Sequence, residues 1–139
     1  MTSGQIKTFL GLVFALVFAS CEFSTTVSKN PVFSKGIDTV QANLNKMVVC
    51  ERFGLNGQQV TTNGRASSEL EISVINGQDI PMGQDQMWTL AKSIASYIKG
   101  SLRDEKEYDK YTVLFVTEQA NGGFTKRKWK GDVFTEKEL

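Results

Sequence analysis

The sequence contains no histidine and only two cysteines in 139 residues. Histidine is the commonest metal ligand and a frequent general base, so its absence removes the usual centre of many catalytic sites. Two cysteines exclude a disulfide framework and a zinc site built from Cys and His. The chain also lacks an EF-hand loop and a glycine-rich phosphate loop. We therefore expect no cofactor and no bound metal.

An excess of charge of either sign is lacking as well. The chain has 16 basic and 15 acidic residues, which gives a net charge of +1. Residues 1–20 contain one basic residue, Lys7, and no acidic residue, so the remainder is balanced at 15 of each. A balanced chain has no general attraction to a polyanion, and we expect no nucleic-acid partner.

The N-terminal segment is the most distinctive part of the sequence. A single positive charge, Lys7, precedes an uninterrupted apolar run of eleven residues at 9–19. A helix needs about 20 apolar residues to span a bilayer, so this run is too short to do so. A short basic region, a short apolar region and small residues after it are typical of an export signal.

Phe18 and Ala19 end this run, and Ser20 and Cys21 follow it. These four residues resemble the lipobox of bacterial lipoproteins processed by signal peptidase II, with a match at the last three positions and Phe18 where leucine is usual. The resemblance implies cleavage before Cys21, lipid on its thiol, and membrane anchoring in the bacterial cell envelope, on the periplasmic side or at the cell surface. Ordinary cleavage after Ala19 and a buried N-terminal helix are the alternatives.

The rest of the chain favours one domain after a tether. Residues 21–35 are rich in Ser, Thr, Asn and Lys, which predicts a flexible tether between the membrane and the folded part. Residues 36–139 then form a small α+β domain, whose length is sufficient for a core without disulfides.

Hydrophobic periodicity predicts the fold of this domain. Apolar residues recur at helical spacing over 84–102, and segments within 46–53, 58–62, 69–76, 111–118 and 124–134 favour strands. Asn-Gly at 56–57 and 63–64 and Asn-Gly-Gly at 121–123 are turn signals. We expect an antiparallel sheet of about four to five strands with one main amphipathic helix on one face. Residues 34–48 favour a second short helix near the N-terminus, although part of this segment also alternates as a strand does.

One polar cluster is a candidate binding site. It comprises Lys126, Arg127, Lys128, Trp129 and Lys130. A functional interpretation has it bind phosphate, lipopolysaccharide or nucleic acid, with the tryptophan stacking on the ligand. Strand alternation divides the charges between two faces, so the competing interpretation is a solvated sheet edge protected by lysines.

The other candidates favour structural interpretations. The acidic residues of 104–109 interleave with basic ones, which is typical of a solvated loop. Glu69 and Glu71 share one strand face about 7 Å apart, where solubility is a simpler role than glycoside hydrolysis. Cys50 lies in an apolar run and has no histidine to activate it, which indicates a structural thiol. Trp88 falls on the apolar stripe of the long helix and is predicted to be a core residue.

These observations lead to one main hypothesis and two rivals. The main hypothesis is a lipid-anchored envelope protein whose domain is a non-enzymatic module that binds an envelope protein. The rivals are an enzyme that uses carboxylates on cell-wall or surface glycans, and a binder of a small or lipidic ligand.

Overall fold

The computed structural model describes residues 23–139. The predicted signal segment 1–20 and Cys21 lie outside this range. The elements are β1 (Ser24–Ser28), α1 (Ile37–Met47), β2 (Arg52–Thr62), β3 (Arg65–Ile75), α2 (Gln84–Ser101), β4 (Lys110–Asn121), β5 (Phe124–Thr135) and a 3-10 turn (Glu136–Glu138). Among residues 23–139, none of the helices is both long and apolar enough to cross a membrane.

The five strands form one sheet in the order of the sequence, β1-β2-β3-β4-β5. The α+β class and a main helix beside a short one are confirmed. The purely antiparallel sheet is wrong, because β3 and β4 run parallel while the other neighbours are antiparallel. The cause is α2, whose 18 residues extend about 27 Å and return the chain to the end of the sheet where β3 began.

The core lies between the two helices and one face of the sheet. Strand alternation directs one set of side chains from β3 and β4 into it: Leu70, Ile72, Val74, Tyr111, Val113 and Phe115. The helices contribute the buried residues Val40, Leu44, Ala91, Ile94, Ala95 and Ile98 to the same cluster. Both helices therefore cover the same face, and residues 23–139 place no helix on the other.

The turn predictions were right at two of three positions. Asn63 and Gly64 have φ of 51° and 79°, and Gly122 and Gly123 have 57° and 90°, as tight hairpin turns between twisted strands require. The turn predicted at 56–57 is wrong, because Gly57 lies inside β2. A side chain there would overlap the main-chain oxygen of Lys29 and the hydroxyl of Tyr108, so this glycine permits a close approach.

The tether predicted over 21–35 needs correction where the structure describes it. Ser24–Ser28 forms β1 and pairs with the second half of β2. Its sequence, STTVS, contains three β-branched residues, and these favour an extended backbone. The polar composition of the segment suits an exposed edge strand as well as a tether, so composition alone could not distinguish the two.

Candidate interaction surface on the sheet face and edge

The basic cluster predicted from sequence lies on β5, which is an edge strand of the sheet. Lys126, Lys128 and Lys130 project on the face that carries the helices, at the end of the sheet furthest from the buried Phe134. Arg127 and Trp129 project on the uncovered face. All five side chains are exposed, so the structure brings the predicted residues together as one strand with two differently charged faces.

The three lysines stand opposite uncharged neighbours. Lys126 pairs with Gln119, and Lys128 pairs with Thr117. Lys130 stands opposite Phe115 of the core. None of the three forms an ion pair with another residue in the described part of the chain. This row of positive charge is therefore not neutralised by the fold.

Arg127 differs from the lysines because its charge is already paired with a carboxylate. Its Nε donates a 2.6 Å hydrogen bond to one carboxylate oxygen of Glu118, and Arg52 Nη2 donates a 2.6 Å bond to the other. The bond from Arg52 is the larger cause, and the two bonds lower the pKa of Glu118. Arg52 also contacts Glu51 at 3.0 Å, so the network joins β2, β4 and β5 across the end of β3.

An apolar patch lies beside this network on the uncovered face. Trp129 and Val133 are 68% and 59% exposed, and Leu114 and Val116 lie half-buried next to them on β4. Gly131 stands opposite Leu114, and a side chain there would overlap the Val113 oxygen and the Leu114 side chain. The missing side chain leaves Leu114 open to solvent between two exposed apolar residues.

A shallow groove runs over the edge of the sheet at this point. Its volume is about 510 Å³, and it is lined by Phe115, Thr117, Arg127, Lys128, Trp129 and Lys130. Phe115, Thr117, Lys128 and Lys130 project on the face that carries the helices, so the groove lies over β4 and β5 next to the edge of the sheet. An open groove beside an unpaired strand is more typical of a surface that binds another chain than of an active site.

The carboxylates considered as catalytic groups are part of the uncovered face. Glu69 accepts a 2.5 Å hydrogen bond from Thr112, and Glu71 accepts a 3.3 Å bond from Ser73. Each carboxylate therefore has a neutral hydroxyl partner on the sheet surface. Within residues 23–139, no group of three or more His, Cys, Asp or Glu side chains is placed to hold a metal.

The surroundings of Cys50 and Trp88 indicate structural roles for both residues. Cys50 is half-buried against the core, and burial raises the pKa of its thiol, which disfavours the reactive thiolate. Trp88 is less buried than predicted, with 42% of its surface exposed. Its ring packs on Phe134 at 5.7 Å between centroids, and the Lys92 ammonium lies 5.1 Å from the centre of the ring. It therefore covers the edge of the core.

A second groove, of about 310 Å³, separates the two helices. Most of the residues that line it are of polar types: Ser34, Lys35, Thr39, Asn43, Ser96, Tyr97 and Ser101, with Val40 and Gly100. An amide hydrogen of Asn43 is donated to the Tyr97 hydroxyl at 3.0 Å across it. A lining of this kind does not suit a lipid, which needs an apolar wall.

Sequence reasoning missed one group, the contacts that hold the end of β1. The Lys29 ammonium donates a 2.8 Å bond to the Glu107 carbonyl and lies 5.3 Å from the centre of the Tyr108 ring. The Tyr108 hydroxyl donates in turn to the Lys29 carbonyl. A signal was available, because Tyr108 is the one aromatic residue in a connector of charged residues, a setting where an aromatic residue indicates burial.

No family model, curated protein or solved structure matches the chain. The class of the protein therefore follows from its own fold and surface. Residues 23–139 form an α+β domain with a five-stranded mixed sheet, two helices on one face, no helix on the opposite face, and a basic strand at one edge.

Proposed function

We propose that this chain is a lipid-anchored protein of the bacterial cell envelope and that its domain is a non-enzymatic module for binding another envelope protein. The observation that carries the second part is the uncovered sheet face, where Trp129 and Val133 are 68% and 59% exposed around a half-buried leucine. Exposed apolar patches rimmed by polar residues mark interaction surfaces. The salt-linked arginines beside the patch provide such a rim.

The anchor is supported by the lipobox resemblance at Cys21. Only Glu22 and Phe23 separate this cysteine from β1, which begins at Ser24. Three Cα–Cα steps reach at most about 11 Å, so an anchored domain stands directly on the membrane instead of on a long tether. Such placement restricts the module to partners at or near the same surface and raises their effective concentration.

The composition of the surface favours binding over catalysis. The uncovered face offers an aromatic residue, aliphatic residues and arginines, which are frequent in binding hot spots or interface cores. Glu69 and Glu71 have neutral hydroxyl partners, and Glu118 is bound by two arginines, so none of the three is placed beside a nucleophile to activate. The grooves around it are open, and neither contains a pair of carboxylates or an enclosed apolar cavity, which supports neither a glycosidase cleft nor a lipid carrier.

The anchor is tested first by the mass of the native protein. We expect the chain isolated from the envelope to lack residues 1–20 and to carry the mass of an acylated Cys21. The Cys21→Ser variant should lose the lipid and leave the membrane fraction. An unacylated chain that starts at residue 20 or 21 would contradict the anchor.

The module is tested by crosslinking in intact cells. The anchored protein should capture a stoichiometric envelope partner, and Trp129→Ser with Val133→Ser should abolish the capture. The matched control is Val27→Ser with Val49→Ser, which removes two exposed apolar side chains from other parts of the surface. Equal capture by both double variants would contradict a binding role for the patch.

A further inference from the structure

We propose that the outer edge of β5 binds an acidic, extended polypeptide segment, which adds to the sheet as a sixth strand. This inference rests on the proposed function, because it names the chemistry of the partner at the same surface. It depends on three features of β5: its free backbone groups, its unneutralised lysines and its position relative to the anchor.

The register of the hairpin determines which backbone groups are free. The Glu136 N–H donates a 2.9 Å bond to the Asp109 oxygen, one step beyond the pairing of Thr135 with Lys110. Bonded and unbonded pairs alternate along an antiparallel ladder, so the even-numbered residues of β5 bond to β4. The N–H and C=O groups that point outward belong to Thr125, Arg127, Trp129, Gly131 and Val133. No described strand pairs with them.

The edge is long and regular enough to receive another strand. β5 has 12 residues and pairs with β4 without a bulge over its whole length. The other edge, β1, has five residues. Short strands, bulges and covering loops are usual ways to protect an edge, and β5 uses none of these within residues 23–139. The lysine side chains are therefore what protects this edge, and they repel a basic strand without repelling an acidic one.

The charge determines which strand is admitted. An added strand places its side chains about 5 Å from those of β5, so its residues beside Lys126, Lys128 and Lys130 would stand against three positive charges. Like charges in this position are unfavourable, which rejects a second copy of β5. Carboxylates in alternate positions would pair with all three lysines.

The position of the edge disfavours the protein's own membrane as the ligand. The anchored end of β1 is level with the turn between β2 and β3, through the pairing of Ser24 with Thr62. Lys130 is level with Val74, and Lys126 lies four residues further along. At about 3.3 Å per residue, the lysines are about 30–40 Å from the anchored end along the strands. With the strands upright on the membrane, this is several times the range of a surface potential in physiological salt.

The test uses the full chain in nanodiscs of phosphatidylcholine and short capped peptides in which Glu alternates with Val or Thr. We expect saturable binding of the Glu peptide. A peptide with Gln in place of Glu tests the charge, and an N-methylated Glu peptide tests the backbone pairing. Both should bind at least about tenfold more weakly, because strand addition draws its affinity from the main chain and its specificity from the side chains.

Amide hydrogen exchange gives a readout that nonspecific attraction would not move. The bound Glu peptide should slow exchange at the outward amides of Arg127 and Trp129. The amides of Lys126 and Lys128 already bond to β4 and should change little. Uniform slowing of all four amides, or none, would overturn strand addition.

Matched variants separate this edge from general positive charge. Lys126→Gln, Lys128→Gln and Lys130→Gln together should weaken binding about tenfold, as expected for three cross-strand charge pairs. The control replaces Lys35, Lys106 and Lys137 with Gln, which removes the same charge from exposed sites elsewhere, and it should stay within about twofold. Equal loss in both triple variants would overturn the inference.

Two further outcomes distinguish this inference from the proposed function. Polyphosphate or phosphatidylglycerol vesicles that bind as well as the Glu peptide, with the same lysine dependence, would identify a polyanion site and overturn strand addition. No binding of any Glu peptide to a chain with confirmed lipid on Cys21 would overturn the inference and leave the anchor standing. Binding of the Glu peptide by a chain that proves to be unacylated would support strand addition and contradict the anchor.

Discussion

The hydroxyl of Tyr108 donates a 2.6 Å hydrogen bond to the main-chain oxygen of Lys29, 79 residues earlier in the sequence. Tyr108 is fully buried, and desolvation raises the pKa of its hydroxyl well above the ordinary value. Lys29 returns the contact through its own side chain, which reaches the carbonyl of Glu107. This reciprocal pair joins the end of β1 to the connector before β4.

The first prediction concerns this hydrogen bond. Tyr108→Phe keeps the buried ring and removes the only donor that the ring offers, which leaves the Lys29 oxygen without this partner. We expect a loss of about 1–2 kcal/mol in the free energy of unfolding, measured by urea denaturation. Amide exchange in β1 should accelerate at the same time, because β1 is held at this point.

Tyr97→Phe is the control, since it removes a half-buried hydroxyl from the groove between the helices. Its cost should be smaller, and exchange in β1 should not change. An equal loss in the two variants, with β1 unaffected in both, would show that the Tyr108 bond does not hold the strand.

The second prediction concerns the glycine beneath this contact. A Cβ atom at position 57 would overlap both the Lys29 oxygen and the Tyr108 hydroxyl, so Gly57→Ala must separate β1 from β2. We expect a loss of about 3 kcal/mol or more, as for other severe overpacking. Gly54→Ala lies in the same strand, where a Cβ atom meets Ser73 at an ordinary 3.4 Å, and should change stability by less than about 1 kcal/mol. Similar stabilities would contradict the close approach.

The third prediction is a pH dependence of stability that originates at Glu118. Bonds from Arg52 and Arg127 lower its pKa in the folded protein below the ordinary value of 4.5. A lowered pKa contributes stability above the ordinary value, and this contribution is lost as the pH falls through the folded pKa. Glu118→Gln should therefore lose less stability than the parent between about pH 5 and pH 3.

Urea unfolding at several pH values measures this difference. Glu105→Gln removes an exposed carboxylate that has no ion pair within the described chain, and its curve should follow that of the parent. A Glu118→Gln curve parallel to the parent curve would mean that the arginine network does not form in solution.

Local signals in the sequence predicted the elements better than their arrangement. The helix expected over 84–102 begins and ends within one residue of that range, because its apolar stripe and its burial coincide. The turn at Asn63 and Gly64 was predicted because it depends on φ alone. Gly57 was misassigned because its role depends on two groups that are distant in sequence. The parallel pairing of β3 with β4 likewise follows from how the chain returns after α2.

The candidate site was predictable as a group of residues and not as a surface. Alternation along β5 correctly assigned Arg127 and Trp129 to one face and the three lysines to the other. That Arg127 is neutralised by Glu118 while the lysines are not depends on the register between β4 and β5. The same composition is compatible with a register shifted by one residue, which would place the lysines on the opposite face of the sheet. Composition therefore does not determine the register.

The fourth prediction ranks the losses of stability expected when three aromatic residues on or against β5 are truncated. Phe134 is 1% exposed beneath Trp88, which is 42% exposed, while Trp129 stands 68% exposed on the other face. Truncation to Ala should cost about 3–5 kcal/mol at Phe134, because a buried ring leaves a cavity. Lower costs are expected at Trp88, about 1–2 kcal/mol, and at Trp129, about 0.5 kcal/mol, since most of the Trp129 ring already contacts water.

Urea unfolding of the three variants measures this order. It tests whether α2 fixes β5 only at its C-terminal end, which would leave the half with the lysines free to receive a partner. A loss at Trp129 as large as that at Phe134 would mean that the uncovered face is covered in the folded protein. The apolar patch would then belong to the core, and the binding role proposed for it would fail.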